Sequence, residues 1–377
     1  MASRVGVWAA ALVALLGACK GASKTNGTSE RTRDAASTSA GVLGPAPSAS
    51  AKQGRRRLIG EDRAMGTEVT IQVFAPDDAM LPRPAQTLIE AALAEIHRLE
   101  KQMSTWIPES EISEVNAHAA ERPVHVGPDT LAVLVKSQWA SELSGGAFDI
   151  TFEVMHGVWR FDHDRDGVVP EPAAVAQRRA KIDYRNVVLD RAKSEVRFKS
   201  PDTKINLGGI AKGYAIDRMV AILLAGGLED FSVQAGGDLY AHGHKPDGSP
   251  WIVGVRDPRG PAGSFFGSLA VENHAFSTAG DYERTFTKDG KRYHHILDPR
   301  TGYPATAARS VTIWANDALT ADAIDDGIFI LGPERGIPLC EAIEGCGAIV
   351  VDAKNEVWVS KRLVPLFQKN RPPTDGL

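Results

Sequence analysis

The stretch INLGGIAKGYAIDRM, Ile205 to Met219, places a glycine pair and a lysine ahead of an apolar helix. It can therefore be compared with the glycine-rich motifs of the common nucleotide-binding folds. A P-loop has Ser or Thr directly after its Lys, whereas Lys212 is followed by a glycine and a tyrosine. A dinucleotide fingerprint needs G-x-G-x-x-G after a strand, and Gly208, Gly209 and Gly213 do not have that spacing. The stretch therefore excludes both motifs.

The same stretch predicts a helix with a glycine-rich entry. Asn206 is a candidate N-cap, and apolar residues then recur at helical spacing up to a stop at Gly226 and Gly227. Backbone N–H groups at a helix N-terminus favour an anion, and Lys212 adds positive charge there. The alternative is a glycine-rich connection into an ordinary core helix, and this stretch alone leaves both open.

Working outward, strands occur in runs rather than in alternation with helices, which favours an α+β fold over a doubly wound α/β fold. Amphipathic spacing predicts helices over residues 84–103, 128–143 and 319–331. Strands are predicted near residues 187 and 196 and over residues 65–74, 231–234, 251–256, 266–271, 275–278, 282–287, 293–297, 309–314, 346–352 and 356–360. The chain has no internal repeat.

The first 57 residues are predicted to lie outside the fold. Residues 1–18 have a positively charged start and a short apolar stretch, which is typical of a signal peptide. The sequence LGAC, which ends at Cys19, resembles the lipobox of bacterial lipoproteins, in which that Cys is lipidated; the alternative is a secretory signal with an incidental Cys. Residues 19–57 are rich in small and polar residues and predict a flexible tether for a folded unit over residues 58–377. We therefore expect a lipid-anchored protein on the periplasmic side of a bacterial cell envelope.

Composition limits the partners and leaves the other two cysteines undecided. The 377 residues are 43% hydrophobic with a net charge of −4, which argues against nucleic acid as the main partner. Cys340 and Cys346 could pair outside the cytoplasm, but Cys346 also starts an apolar run that suits a buried free thiol.

The segment ALTADAIDDGIFILG, Ala318 to Gly332, carries the strongest chemical signal. In a helix, Asp322, Asp325 and Asp326 would share one face and repel one another, and the segment contains no Lys or Arg to relieve the repulsion. A hard cation such as Mg²⁺ would resolve the conflict. The alternative is an acidic exposed face that pairs with basic residues elsewhere.

Two adjacent histidines precede a strong turn in KRYHHILDPRTGYPA. A strand would direct His294 and His295 to opposite faces, so that one of them could accept a proton beside a site. The alternative is a surface or satisfied core histidine. Asp149, which follows a glycine pair, and the aromatic Trp106 are weaker candidates, since such aromatics more often belong to a core.

The order of the motifs resembles the ApbE family of FAD:protein FMN transferases over about Leu58 to Lys361. The motifs that carry the resemblance are MGTEVTI, MSTWIPESEISEVN, GAFD, NLGGIAKGYAID, QAGGDLY, STAGDYERTF, HHILDPRTGYP and ALTADA. Members of the family are often lipoproteins or periplasmic, which agrees with the interpretation of the N-terminus.

The resemblance implies a T-fold-related arrangement of mixed sheets packed with helices, and it implies roles for individual residues. Those implied to contact FAD are Met65, Trp106, Gly146, Ala147, Phe148, Asp149, Asn206, Lys212 and Leu297. Those implied to bind Mg²⁺ are Gly209, through its backbone oxygen, and Asp322, Asp325 and Asp326. His295 is the implied general base.

The chain departs from the family pattern at four positions. Asn206 stands where Asp is usual, so one flavin contact loses its charge, and Asp326 replaces a Thr or Ser ligand and adds charge. Ala279 and Gln234 stand where Ser and Asn are common. The first two changes bear on affinity and on the number of metal ions.

The reaction that the resemblance implies is Mg²⁺-dependent transfer of FMN from FAD to a Thr or Ser hydroxyl of an acceptor protein, with release of AMP. The family's acceptors are typically subunits of membrane redox systems, which suits a tethered enzyme. Two alternatives are a Mg²⁺-dependent FAD pyrophosphatase, in which water replaces the hydroxyl, and a lipoprotein that binds FAD without turnover.

Overall fold

The computed structural model describes residues 54–161 and 164–376. The predicted signal peptide, Cys19 and the predicted tether up to residue 53 lie outside the described residues. The first strand begins at Arg56, so the last two residues of the predicted tether belong to the sheet.

The helices occupy seven segments of the described chain. They are α1 (Ala85–Met103), α2 (Glu111–His118), α3 (Pro128–Ser144), α4 (Pro172–Arg179), α5 (Ala211–Ala225), α6 (Ala318–Leu331) and α7 (Pro333–Glu341). Within residues 54–161 and 164–376, none of them has both the length and the apolar character needed to cross a membrane.

The strands are mostly short. They are β1 (Arg56–Ala64), β2 (Thr67–Ala75), β3 (Val124–His125), β4 (Val187–Asp190), β5 (Glu195–Phe198), β6 (Phe231–Ala235), β7 (Asp238–His242), β8 (Trp251–Arg256), β9 (Phe265–Val271), β10 (His274–Gly280), β11 (Thr285–Lys288), β12 (Lys291–His294), β13 (Leu297–Asp298), β14 (Tyr303–Pro304), β15 (Ala308–Ala315), β16 (Gly347–Asp352), β17 (Val357–Val359) and β18 (Phe367–Lys369).

One eight-stranded sheet organises the molecule, in the order β1-β2-β6-β7-β10-β15-β16-β17. Neighbouring strands in it are antiparallel, and runs of strands separated by groups of helices confirm the predicted α+β class. Helices α1, α5 and α6 pack on one face and share the largest apolar core with it. The smaller sheet of β8, β9 and β18 packs on the other face over a second core.

Elements predicted from clear periodicity agree closely with the structure. Helices α1, α3 and α6 lie within one residue of their predicted bounds at each end, and β8 matches its prediction at both ends. The strand predicted over 282–287 is partly wrong, because β11 starts only at Thr285. The strand predicted over 293–297 is two elements, β12 and β13, with His295 just after the first.

The short elements α2, α4, α7, β3, β14 and β18 were missed, together with two strands of the central sheet, and one question was left open. Strand β1 was missed because its buried positions, Gly60 and Ala64, carry no large apolar side chain and most of its other residues are charged. Strand β7 was missed because only five residues separate the glycine turn at Gly237 from the next one at Gly243. Cys340 and Cys346 form a disulfide that joins α7 to the start of β16, which settles the open question in favour of pairing.

Candidate active site

A cleft of about 830 Å³ opens where the central sheet, α5, α6 and several loops meet. Cavities of this size accommodate cofactor-sized ligands. Of the residues predicted from sequence, those that line it are Met65, Trp106, Ala147, Phe148, Asp149, Asn206, Gly209, Lys212, His295, Leu297, Asp322, Asp325 and Asp326. Gly146 does not line it; a side chain there would meet Tyr184 instead.

The β1–β2 hairpin brings Met65 to the cleft through an unusual backbone. Ala64 pairs with Thr67, so Met65 and Gly66 form a two-residue turn, and both have positive φ, at 50° and 73°. Such turns match the twist of a hairpin, but the conformation is unfavourable for a residue that is not glycine. The carboxylate of Glu100 accepts the N–H of Met65 at 2.7 Å, and this contact holds the turn in place.

The glycine-rich segment enters α5 differently from the prediction. Asn206 is not the N-cap of the helix, because α5 begins at Ala211 and the N–H groups of residues 210 and 211 bond to the carbonyl of Leu207. The side-chain oxygen of Asn206 instead accepts the N–H of Gly208 at 2.7 Å. Asn206 therefore shapes the loop before the helix rather than the helix itself.

Helices α5 and α6 cross at a contact that admits no side chain. A Cβ at Gly213 would lie 2.3 Å from the carbonyl oxygen of Ala318, so glycine is required there. The same close approach lets the N–H of Gly213 donate to Asp322 at 2.7 Å. One turn further along α5, Asp217 accepts the first two N–H groups of α6, from Ala318 and Leu319, at 2.8 and 2.9 Å.

A buried acidic cluster lies at this crossing. Asp238, Asp322 and Asp325 offer carboxylate oxygens that all lie within 4.8 Å of one another. The hydroxyl of Ser277 lies within hydrogen-bond distance of both Asp238 and Asp325, yet it has only one proton to donate. The cluster therefore needs a further proton or a cation.

The pKa values of the carboxyl groups reflect the same shortage of protons. Burial raises the pKa of Asp322 to about 7 and that of Asp326 to about 6, although the charge of Lys212 opposes both shifts. Burial, reinforced by the charges of Asp326 and Asp322, also raises the pKa of Asp325 well above its ordinary value. In water these carboxyls would ionise fully at neutral pH, whereas here they compete for protons.

Lys212 is the cation that the described residues contribute to this cluster. Its ammonium lies 3.3 Å from Asp238, 3.6 Å from Asp322 and 3.2 Å from the carbonyl oxygen of Gly208. Burial alone would lower the pKa of Lys212, but the charges of Asp238, Asp322 and Asp325 outweigh it and raise that pKa. Lys212 is therefore charged, and it lies between the acidic cluster and the glycine-rich loop.

Asp326 lies between the cluster and the glycine-rich loop. One of its oxygens lies 3.1 Å from where a Cβ of Gly209 would stand, so a side chain at that position would crowd the carboxylate. Asp326 and Gly209 are thus adjacent, as a shared ligand set would require. The structure brings the four residues predicted for the metal into one corner of the cleft.

The two histidines occupy different environments, as the prediction required. His294 is buried, donates its Nε2–H to the carbonyl oxygen of Ala305 at 2.9 Å, and packs edge-on against Phe329. His295 lines the cleft instead. Burial, followed by the positive charge of Arg284, holds the pKa of His295 well below 6.5, so its ring is neutral at physiological pH. Among the described residues, nothing hydrogen-bonds to its buried Nδ1.

The loop wall of the cleft comprises the turn at Trp106 and the segment from Ala147 to Met155. Trp106 is 55% exposed, and its ring packs edge-on against His156 with centroids 5.1 Å apart. Asp149 is buried, and its carboxylate accepts from Thr151 and from the N–H of Tyr184. Asp149 therefore braces this loop through protein contacts, whereas Trp106 is exposed at the edge of the cleft.

Residues that the sequence analysis missed include Asp238 and Glu153, which line the cleft, and Ser277, which contacts Asp238 and Asp325. Asp238 and Ser277 lie within quoted motifs, but nothing in their spacing links them to Asp322. They meet because β7 and β10 are neighbours in the sheet. Glu153 belongs to no quoted motif, and only the fold brings it to Asn206, at 2.8 Å.

Comparison with known proteins places this geometry in a family context. Residues 65–350 match the family model described as ApbE family. The chain is 32% identical over 332 residues to an FAD:protein FMN transferase of Treponema pallidum, covering 82% of this chain and 90% of that protein. It is 31% identical over 280 residues to an FAD:protein FMN transferase of Vibrio cholerae, covering 74% and 82%.

Solved structures agree with this family assignment. An ApbE protein of Thermotoga maritima matches with a TM-score of 0.73 and 33% identity, covering 82% of this chain and 99% of that one. The flavin transferase ApbE of Vibrio cholerae matches with a TM-score of 0.74 and 26% identity, covering 83% and 99%.

Proposed function

Because this chain belongs to the ApbE family, we propose that it is an FAD:protein FMN transferase, which moves the FMN half of FAD onto a Thr or Ser hydroxyl of an acceptor protein and releases AMP. The observation that carries the proposal is the convergence, in one cleft, of a charged lysine, a buried acidic cluster and a neutral histidine. These are the parts that phosphoryl transfer needs, since the enzyme has to position groups and stabilise charge.

Magnesium is part of the proposal. The residues that would hold it are Asp322, Asp325 and Asp326, the backbone oxygen of Gly209, and Asp238. The chemistry of this donor set fits, because Mg²⁺ prefers oxygen ligands and the Ser277 hydroxyl cannot satisfy two carboxylates with one proton. When bound, Mg²⁺ supplies positive charge against the charge that develops on the phosphate oxygens.

The residues of the chain account for the remaining steps. Lys212 holds the pyrophosphate of FAD beside the glycine-rich loop, and Trp106 stacks on a ring of the substrate. The acceptor hydroxyl gives its proton to His295 while its oxygen forms a bond to the phosphorus of the FMN half. The bond from that phosphorus to the bridging oxygen breaks, and AMP leaves with that oxygen.

The test is a reaction with purified full-length protein, FAD, Mg²⁺ and an acceptor protein that carries the target Thr. We expect stoichiometric release of AMP and FMN that stays on the acceptor after denaturation, seen as fluorescence in a gel. An acceptor with Thr→Val at the target is the control. AMP with only free FMN would identify a pyrophosphatase, and FAD binding without either product would identify a carrier.

We also propose that the chain acts at the periplasmic face of a membrane, anchored through lipid on Cys19, and that its acceptor belongs to a membrane redox system. The support is the sequence LGAC after a short apolar stretch and the tether-like composition that follows. Cys19→Ala should move the protein to the soluble fraction or leave an uncleaved precursor. An unlipidated mature N-terminus well beyond residue 19, found by mass spectrometry, would overturn this proposal.

A further inference from the structure

The carboxamide of Asn206 is held in a single orientation by its neighbours. Its oxygen accepts the N–H of Gly208 at 2.7 Å, and its nitrogen donates to Glu153 at 2.8 Å and to the hydroxyl of Thr105 at 3.3 Å. The backbone N–H of Asn206 bonds to the carbonyl of Ile150. Asn206 therefore joins three separate segments of the cleft wall: the glycine-rich loop, the segment containing Glu153, and the turn at Trp106.

Glu153 is the partner that fixes the direction of this amide. Its side chain is largely buried, at 16% exposure, and one of its oxygens also lies 3.8 Å from Nδ1 of His156, whose ring packs against Trp106. Glu153 thus contacts both the loop that leads to Lys212 and the support of the exposed aromatic ring. It also places a carboxylate beside residue 206, where the chain has a neutral side chain.

We infer that Glu153 is a positioning residue for FAD binding, which acts through Asn206 and forms with it one matched pair. The inference rests on the proposed function, since it assigns the pair to the FAD site of the transferase. An Asp at position 206 would keep the contact to Gly208 and could accept from Thr105. It would lose only the contact to Glu153, where two carboxylates would then face each other at hydrogen-bond distance and repel.

The geometry allows the hydrogen-bond donor and acceptor of this pair to be exchanged by substitution. A Gln at position 153 can accept from Asn206 through its oxygen, or donate to an Asp at 206 through its nitrogen. Glu153→Gln alone should therefore be mild, and it should also remove the penalty of Asn206→Asp. Coupling of this kind is what a double-mutant cycle measures.

The experiment compares the full chain with Asn206→Asp, Glu153→Gln and the double variant, measuring the Kd for FAD by flavin fluorescence and the Tm without ligand. We expect Asn206→Asp to raise Kd roughly tenfold or more, as for loss of a hydrogen bond to a charged group. Glu153→Gln should raise it less than about threefold, and the double variant should return to within about threefold of the unaltered chain.

Glu100→Gln is the matched control, because Glu100 is another carboxylate that lines the cleft and binds a backbone N–H. The penalty of Asn206→Asp should persist in that background. An equal penalty with Glu or Gln at 153, or a fall in Tm with unchanged Kd, would overturn the inference while leaving the transferase proposal standing. Failure of the unaltered chain to bind FAD would overturn both.

Discussion

The two walls of the cleft are built in different ways. The helix wall consists of α5, α6, β7 and β10, and its acidic side chains are buried and anchored by backbone contacts such as that from Gly213 to Asp322. The loop wall consists of the turn at Trp106 and the segment from Ala147 to Met155, with an exposed ring at its edge. Under the proposed function, charge is handled by rigid elements, whereas the flavin nucleotide is recognised by loops.

The largest expected effect comes from the helix wall. Asp322→Ala should remove most Mg²⁺ binding and lower the transfer rate at least roughly a hundredfold, the upper range for losing even a supporting partner of a metal ligand. It also leaves the N–H of Gly213 without its acceptor, so stability should fall by about 1–3 kcal/mol. Titration calorimetry with Mg²⁺ and denaturant unfolding measure the two effects separately.

Two companion variants sharpen that result. Asp322→Asn can still accept from Gly213, so it should keep stability but lose Mg²⁺ binding. Asp326→Thr should keep activity, because a hydroxyl still supplies an oxygen ligand with less repulsion. Unchanged Mg²⁺ dependence in Asp322→Ala would show that the helix wall does not hold the metal.

A comparison of His295 with His294 tests which histidine acts as the general base. His295→Ala should slow transfer about 10²–10⁴-fold, the range typical of a general base, while FAD binding changes little. Single-turnover rates and FAD affinity measured on the same sample separate the two. His294→Ala serves as the comparison: it should lower stability by about 2–4 kcal/mol, since His294 is buried against Phe329 and hydrogen-bonded to Ala305. Equal catalytic losses in both variants would argue against His295 as the base.

The pH dependence of the metal-free protein is the next effect in size. Asp217, Asp322 and Asp326 have pKa values raised to about 7, 7 and 6 from an ordinary value of 3.8, mainly by burial. Between these limits the folded state binds more protons than the unfolded state, so stability should fall as pH rises from about 4 to about 7. Thermal unfolding at several pH values checks this.

Magnesium should flatten that profile, because it replaces protons in the cluster and proton release accompanies its binding. Calorimetry in two buffers of different ionisation enthalpy counts the protons released. A Tm that rises with pH in the absence of Mg²⁺ would contradict the raised pKa values.

The smallest effect is expected in the loop wall. Trp106→Ala should weaken FAD binding only about threefold to tenfold, in keeping with the energy of a single aromatic pair, and Trp106→Phe should recover part of it. Stability should change little because Trp106 is 55% exposed. A change in Mg²⁺ affinity in these variants, measured by calorimetry, would break the proposed division between the walls.

Sequence reasoning succeeded where the chemistry lies within one element. Asp322, Asp325 and Asp326 could be placed on one face because helical spacing alone sets their relation. Asp238 and Ser277 could not be added, because they reach the cluster only through the pairing of β7 with β10. The prediction of Asn206 as the N-cap was wrong, because a helix start that follows a glycine turn can shift by several residues without changing the local sequence pattern.

The crossing at Gly213 has a consequence for how the molecule moves. With no space for even a methyl group at Gly213, the backbones of α5 and α6 are held at a short separation, and neither helix can slide without breaking the contacts of Asp217 to the start of α6. Adaptation to a substrate then falls to the opposite wall. In hydrogen exchange, the amides of Gly213, Ala318 and Leu319 should persist as a slow-exchanging cluster, while those of the turn at Trp106 exchange early and become protected only when FAD is bound.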